Sequence, residues 1–210
     1  MTAVQAAMSS NSPKIEIAQP RLFTLGAVLA VNAYGIFLAL PVFFSALVVS
    51  VLPFGMYTVL LPFLAVAITA LFLPFGLGNS YIVRLVRPLK PATASDAKTF
   101  IVQLTLSPRI RSGLRALLED ADDVGYLSVS ESELVFQGDS VKLSVPKDCI
   151  EAVRPRNIGM RGLFVYGRRI EVVISGLPNV ASIQFAERSS WLLPASRRVT
   201  RELCALFAAK

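Results

Sequence analysis

Two clusters of ionisable side chains hold the densest chemistry in this sequence. Glu119, Asp120, Asp122 and Asp123 place four carboxylates within five residues. Oxygen ligands at that density could collect Mg²⁺ or Ca²⁺, and a metal-dependent enzyme is the activity they would serve. The run lacks the alternating ligands and central glycine of a calcium loop. It also follows a predicted helix with Ile110, Leu114, Leu117 and Leu118 on one face. Negative charge at a helix C-terminus is unfavourable unless paired. Arg109, Arg111 and Arg115, or the arginines after 154, could neutralise it. The run is therefore read first as salt-bridged or solvated surface, then as docking acids for a partner, and last as a metal site.

The second cluster is basic. Between Glu151 and Glu171 stand Arg154, Arg156, Arg161, Arg168 and Arg169, with no acid among them and with Gly159, Gly162 and Gly167 interspersed. Guanidinium forks suit phosphate in bidentate geometry, and Leu163, Phe164 and Tyr166 could rest at a headgroup boundary. Anionic lipid headgroups compete here with intramolecular or partner carboxylates and with plain solvation. Nucleic acid is not expected, because no recognised fold or aromatic platform accompanies the charge.

Other chemistry is narrowed by composition. The chain has no histidine and two cysteines, Cys149 and Cys204. A Ser-His-Asp or Cys-His apparatus is therefore impossible within it, and two distant cysteines make no zinc motif or disulfide framework. Neither a catalytic residue, a metal nor a cofactor is expected.

The elements that must position these clusters begin with a membrane block. From Leu22 to Val83, about sixty residues, there is no Asp, Glu, Lys, Arg or His. One bilayer crossing takes about twenty apolar residues, so the block holds two. The spans are placed at about 22–51 and 57–77, separated by the turn Leu52-Pro53-Phe54-Gly55, and Pro41 could kink the first. Lys14 and Arg21 precede the block, and Arg84, Arg87 and Lys90 follow it. Basic flanks put both termini in the cytoplasm, on the inner (plasma) membrane. The prolines echo between the stretches 40–55 and 61–76, which is compatible with a transport or channel subunit. No intramembrane charge accompanies that echo, and Asn32 is read as a bond to the neighbouring helix. Residues 1–21 are expected to be disordered, with no cleaved signal.

Beyond the block the composition is that of an ordinary basic domain. Residues 84–98 read as a juxtamembrane linker. Phe100–Leu106 reads as a strand, and Ser107-Pro108 as the start of the helix that ends at the acidic run. Short strands are then predicted at Gly125–Ser130, Leu134–Phe136, Val141–Val145, Cys149–Val153, Leu163–Tyr166, Ile170–Ile174 and Ala181–Phe185. A helix follows over Pro194–Ala208, with Val199, Leu203, Leu206 and Phe207 in one stripe. Ser189-Ser190 could cap it, with Trp191 packed beneath.

Seven strands closed by one amphipathic helix resemble a pleckstrin-homology-like domain of the bacterial PH or GRAM type. The resemblance rests on Gly125-Tyr-Leu-Ser-Val, Glu133-Leu-Val-Phe and the stretch Val145-Pro146 to Ile150-Glu-Ala-Val. It covers about Gly125 to Lys210, with Phe100–Asp123 as an N-terminal extension. Glu119-Asp-Ala-Asp-Asp and Glu187-Arg-Ser-Ser-Trp-Leu-Leu-Pro also resemble uncharacterised two-span membrane proteins. Lipid-binding PH domains often hold phosphate with basic residues in the first hairpin, where this chain has Glu131-Ser132-Glu133. The resemblance therefore transfers no binding residue.

The expected fold is α+β: a transmembrane two-helix hairpin followed, over 99–210, by a PH-like antiparallel β-barrel or sandwich with a C-terminal α-helix. The expected function is non-enzymatic presentation of a cytoplasmic interaction or scaffold domain. Its partners would be the lipid bilayer, anionic headgroups, a protein the sequence does not name, and further copies of the chain. A transport or channel subunit and a metal-dependent enzyme are the alternatives.

Overall fold

The computed structural model describes residues 12–51, 60, 63–64, 77–91, 98–113, 116, 119, 121–156 and 169–208. Its frame is one antiparallel sheet built from period-two alternation. The strands are β1 (Lys14–Ile17), β2 (Lys98–Ser107), β3 (Asp123–Val129), β4 (Glu133–Gly138), β5 (Val141–Pro146), β6 (Ile150–Arg156), β7 (Arg169–Ile174) and β8 (Ser182–Glu187). Their spatial order is β1-β5-β4-β3-β2-β8-β7-β6. Two meanders, β2 to β5 and β6 to β8, thus join through the pairing of β2 with β8.

The sheet curls into a half-barrel, an architecture consistent with a PH-like fold. Its inner face gathers Val102, Leu104, Leu127, Phe136, Leu143, Val172 and Phe185 into one core. A C-terminal helix, Leu193–Ala208, closes that core. Leu203 and Phe207 are buried on the inner face, and the Phe207 ring lies 6.0 Å from that of Phe185. The expected stripe of this helix is present, since Val199 and Leu206 pack partly buried beside them.

Helix α1 runs from Leu25 to Val51 and contains Pro41. The sequence has no charge anywhere along it. A second helical stretch, α2, occupies residues 77–86 and passes into a 3₁₀ turn at Arg87–Leu89. The C-terminal helix is α3. Taken over the described residues alone, no helix is long and apolar enough to cross a membrane. The described side chains of α1 are interrupted at 32, 34–39, 46 and 49–51. Most of the expected second span, and the turn before it, lies outside the described residues.

A second apolar cluster covers the outer face of β2 and β3. Phe23 and Val28 from the start of α1, and Ile82 and Val86 from α2, pack with Ala121, Val124 and Tyr126. A methyl group placed on Gly78 would lie 3.5 Å from Val31, so the two helices meet at that level.

Several expectations change. Within the segment expected to be disordered, Lys14–Ile17 pair with Val141–Ser144 of β5. The unpaired edge of β5 supplies the backbone partners that the polar segment lacks alone. Residues 1–11 lie outside the described residues. Phe100–Leu106 is not part of an extension: β2 lies between β3 and β8 and supplies core residues. The domain core thus begins at Lys98, and the linker expected at 84–98 contributes Leu85, Val86 and Leu89 to the second cluster. Ser107 cannot begin a helix, because it is the last residue of β2, paired with Ser182. The expected helix does not start there either: residues 108–112 are bends and irregular chain, fixed by hydrogen bonds to Asp122, and helical conformation is described only at Gly113 and Ala116. Residues 114, 115, 117, 118 and 120, and the strand expected at Leu163–Tyr166, lie outside the described residues. The other six predicted strands are β3 to β8.

Candidate functional site: the junction between the apolar block and the sheet

The acidic run is internal. Glu119, Asp122 and Asp123 are buried, while Asp120 lies outside the described residues. Asp122 accepts hydrogen bonds from the backbone N–H of Leu106, at 2.8 Å, and of Arg111, at 3.0 Å. Arg109 Nε lies 3.8 Å from Oδ1, the oxygen that accepts from Arg111, and Arg109 also donates to the carbonyls of Ala116 and Glu119. Arg111 donates to the Asp122 carbonyl and to Ser140 Oγ. Among the described candidate arginines, Arg109 brings its guanidinium to the Asp122 carboxylate, and Arg111 reaches the run through its backbone N–H and the Asp122 carbonyl; Arg115, Arg161 and Arg168 lie outside the described residues. Burial removes Glu119, Asp122 and Asp123 from the surface where a docking contact would need them. Among the described residues no group of three or more acids or cysteines is arranged to hold a metal ion.

Asp123 and Asp139 extend this knot to the start of α1. Asp123 Oδ2 accepts from the N–H groups of Ser140 and Val141, both at 2.7 Å. Asp139 Oδ2 accepts from three successive N–H groups, those of Arg21, Leu22 and Phe23, at 2.8–2.9 Å. Those donors immediately precede α1, so the carboxylate anchors the chain as it enters the helix.

Burial pushes the Asp123 carboxyl up from 3.8 to about 6. The N–H donors of Ser140, Val141 and Val124 pull it down, and the charge of Asp139 pushes it up further. An acid raised on folding holds its proton more tightly in the folded state. Its stabilisation is complete below the unfolded value and is lost as pH rises through the folded one. The shift corresponds to about 3 kcal/mol. Relative to Asp123→Asn, the natural protein should lose up to about 3 kcal/mol between roughly pH 4 and pH 7. Thermal unfolding in detergent at several pH values measures this. Parallel pH profiles for the two proteins would reject it.

A second knot ties α2 to the sheet. Arg188 is buried, and its Nε donates to Gln103 Oε1 on β2. Its Nη1 donates to Asn79 Oδ1 on α2 at 3.3 Å, and Asn79 Nδ2 donates to the Ser190 carbonyl at 2.6 Å. Glu187 Oε1 accepts from the backbone N–H and the hydroxyl of both Ser189 and Ser190. The two serines thus serve the turn after β8 instead of capping α3. Trp191 does not pack beneath the helix either: it is 56% exposed. Sequence reading missed Asn79 and Gln103 as positioning residues. The available signal was a strong amide amid apolar neighbours, Val102 and Leu104 for Gln103.

The basic cluster divides. Arg154 is exposed. Arg156 pairs with the buried Glu171 at 2.8 Å, and Glu171 also accepts from Ser182. Arg169 is buried, its Nη1 near Thr105 Oγ1 and Gln184 Oε1. Arg161 and Arg168 lie outside the described residues. Arg169 is thus turned onto the polar face of β2, β7 and β8, opposite the core, where its described contacts are to the chain itself.

No family model and no curated protein matches this chain.

Proposed function

We propose that the chain is a non-enzymatic integral membrane protein whose two-helix hairpin holds a PH-like interaction domain against the cytoplasmic face of the inner membrane. The carrying observation is the large apolar surface of an uncharged helix. On α1, Leu40, Phe43, Phe44, Leu47 and Val48 are all exposed. A helix apolar on its outer faces is stable in lipid, not in water. Helix α1 belongs to the uncharged block Leu22 to Val83, whose sequence is long enough for two crossings of about twenty residues each.

Topology supports a hairpin. β1 precedes the uncharged block and β2 to β8 follow it, yet all are bonded into one sheet. Chain that leaves and re-enters the same side of a bilayer crosses it an even number of times. Two crossings satisfy that condition. Basic flanks assign that side to the cytoplasm.

The module would touch anionic headgroups through Arg154 and Arg156 at the end of β6. Arg156, Arg169 and Ala186 stand in one row across β6, β7 and β8. That row lies two residues before Arg188, whose partner Asn79 lies four residues before the end of the uncharged block. The arginine-bearing end of the β6–β7 pair thus faces the end of β8 from which the block departs.

Reconstitution of the full chain into vesicles tests both parts. The chain should float with the vesicles after alkaline carbonate washing. Tryptic cleavage after Arg156 should be slower on phosphatidylglycerol vesicles than on phosphatidylcholine vesicles, with the difference disappearing at high salt. Trypsin added outside intact cells should leave both tails uncut. Release by carbonate, or cutting of a tail from outside, would overturn the anchor. Equal cleavage on both lipids would overturn the headgroup contact.

A further inference from the structure

Trp191 and Leu192 stand out from the β-domain. They are 56% and 53% exposed, directly after a turn locked by Glu187. Ordinary surface loops do not present two adjacent large apolar side chains on so well tied a support. The support also has a position. The Ser190 carbonyl accepts from Asn79, next to Gly78, where α2 meets Val31 of α1. Asn79 lies four residues before Val83, where the uncharged block ends. Trp191 therefore sits beside the point where both helices of the block leave the domain.

We infer that Trp191 and Leu192 are an interfacial foot, seated at the headgroup–acyl boundary of the bilayer that holds the hairpin. This rests on the membrane reading proposed above. The chemistry fits one occupant. Indole combines a large apolar body with an N–H donor, and it collects at membrane–water interfaces for that reason. Leucine beside it adds apolar area. Exposed cations stand nearby along the chain: Arg197 and Arg198 in the first turns of α3, and Arg84 and Arg87 at the end of α2. Cations at that level suit phosphate headgroups. A second contact away from the hairpin axis would stop the domain from rocking about the helix ends and set which face it shows to the cytoplasm.

Trp191 is the sole tryptophan, so its fluorescence reports this site alone. The full chain is reconstituted into phosphatidylcholine vesicles, with and without lipids brominated on their acyl chains. The expected result is a loss of roughly half or more of the emission, larger for bromine near the carbonyl end of the chain than near the methyl end. Aqueous iodide should quench little. Emission unaffected by bromine, from a chain that still floats with the vesicles, overturns the foot and leaves the hairpin standing. If that emission is also shielded from iodide, the patch is covered by protein, a second copy or a partner, and the foot is equally overturned. A chain that fails to float removes the membrane reading and the foot with it.

Discussion

Replacing Gly125 by alanine is expected to unfold the β-domain or to cost at least about 4 kcal/mol. Gly125 faces Gly138 across β3 and β4. A Cβ at 125 would lie 2.2 Å from the Gln137 carbonyl oxygen and 2.5 Å from the Gly138 Cα. Both are backbone atoms, so no side chain can turn aside, and the strands themselves must separate. That separation would also disturb Asp123, which grips the β4–β5 turn two residues away. A domain of this size has about 5–15 kcal/mol in total, so the loss approaches the whole. Gly26→Ala is the control. Its Cβ would meet only Thr24 Oγ1 at 3.7 Å, and alanine favours the helix by up to about 1 kcal/mol. Thermal unfolding followed by the β-sheet circular dichroism signal measures both. Equal midpoints for the two variants would refute the steric account.

Arg188→Ala is expected to lower stability by about 3–5 kcal/mol and to loosen α2 from the sheet. The guanidinium is buried and bridges Gln103 on β2 to Asn79 on α2. Its removal leaves both amide oxygens without that donor in a site largely closed to water. Cleavage by trypsin after Arg84 should accelerate as α2 detaches. Lysine should restore only part of the loss, since one ammonium lacks the planar fork that reaches both partners. Arg198→Ala, at an exposed position on α3, should stay within about 0.5 kcal/mol of the natural protein. If Arg188→Ala behaves like Arg198→Ala, the bridge does not hold the junction.

Both variants act on one mechanical unit. Asp139 holds the start of α1, the Arg188 bridge holds α2, and the cluster around Phe23, Ile82 and Val124 fills the space between them and the sheet. The apolar block is therefore not attached by a slack tether. Its two ends are packed and hydrogen-bonded onto the domain, so helix movement and domain orientation are coupled. That coupling is what an interaction module held at a fixed angle to a membrane would require.

Sequence by itself determined the features that depend on local pattern. Absence of charge from Leu22 to Val83 marks the apolar block, because composition is read directly from the chain. Alternation marks six of the strands, because successive side chains fall on opposite faces of a sheet. The stripe Val199, Leu203, Leu206 and Phe207 marks α3 by its helical period. Tertiary structure alone decided what happens across long separations. Lys14–Ile17 find the edge of β5 more than a hundred residues away, and β2 becomes a central strand by pairing with β8. Asp122, Asp123 and Arg169 look like surface charge in sequence. Burial makes them internal ties, since a charge within a fold must be neutralised or hydrogen-bonded. Periodicity can say which face a residue occupies. It cannot say what another part of the chain will lay on that face, because that pairing is decided by the summed packing and hydrogen bonding of the whole sheet.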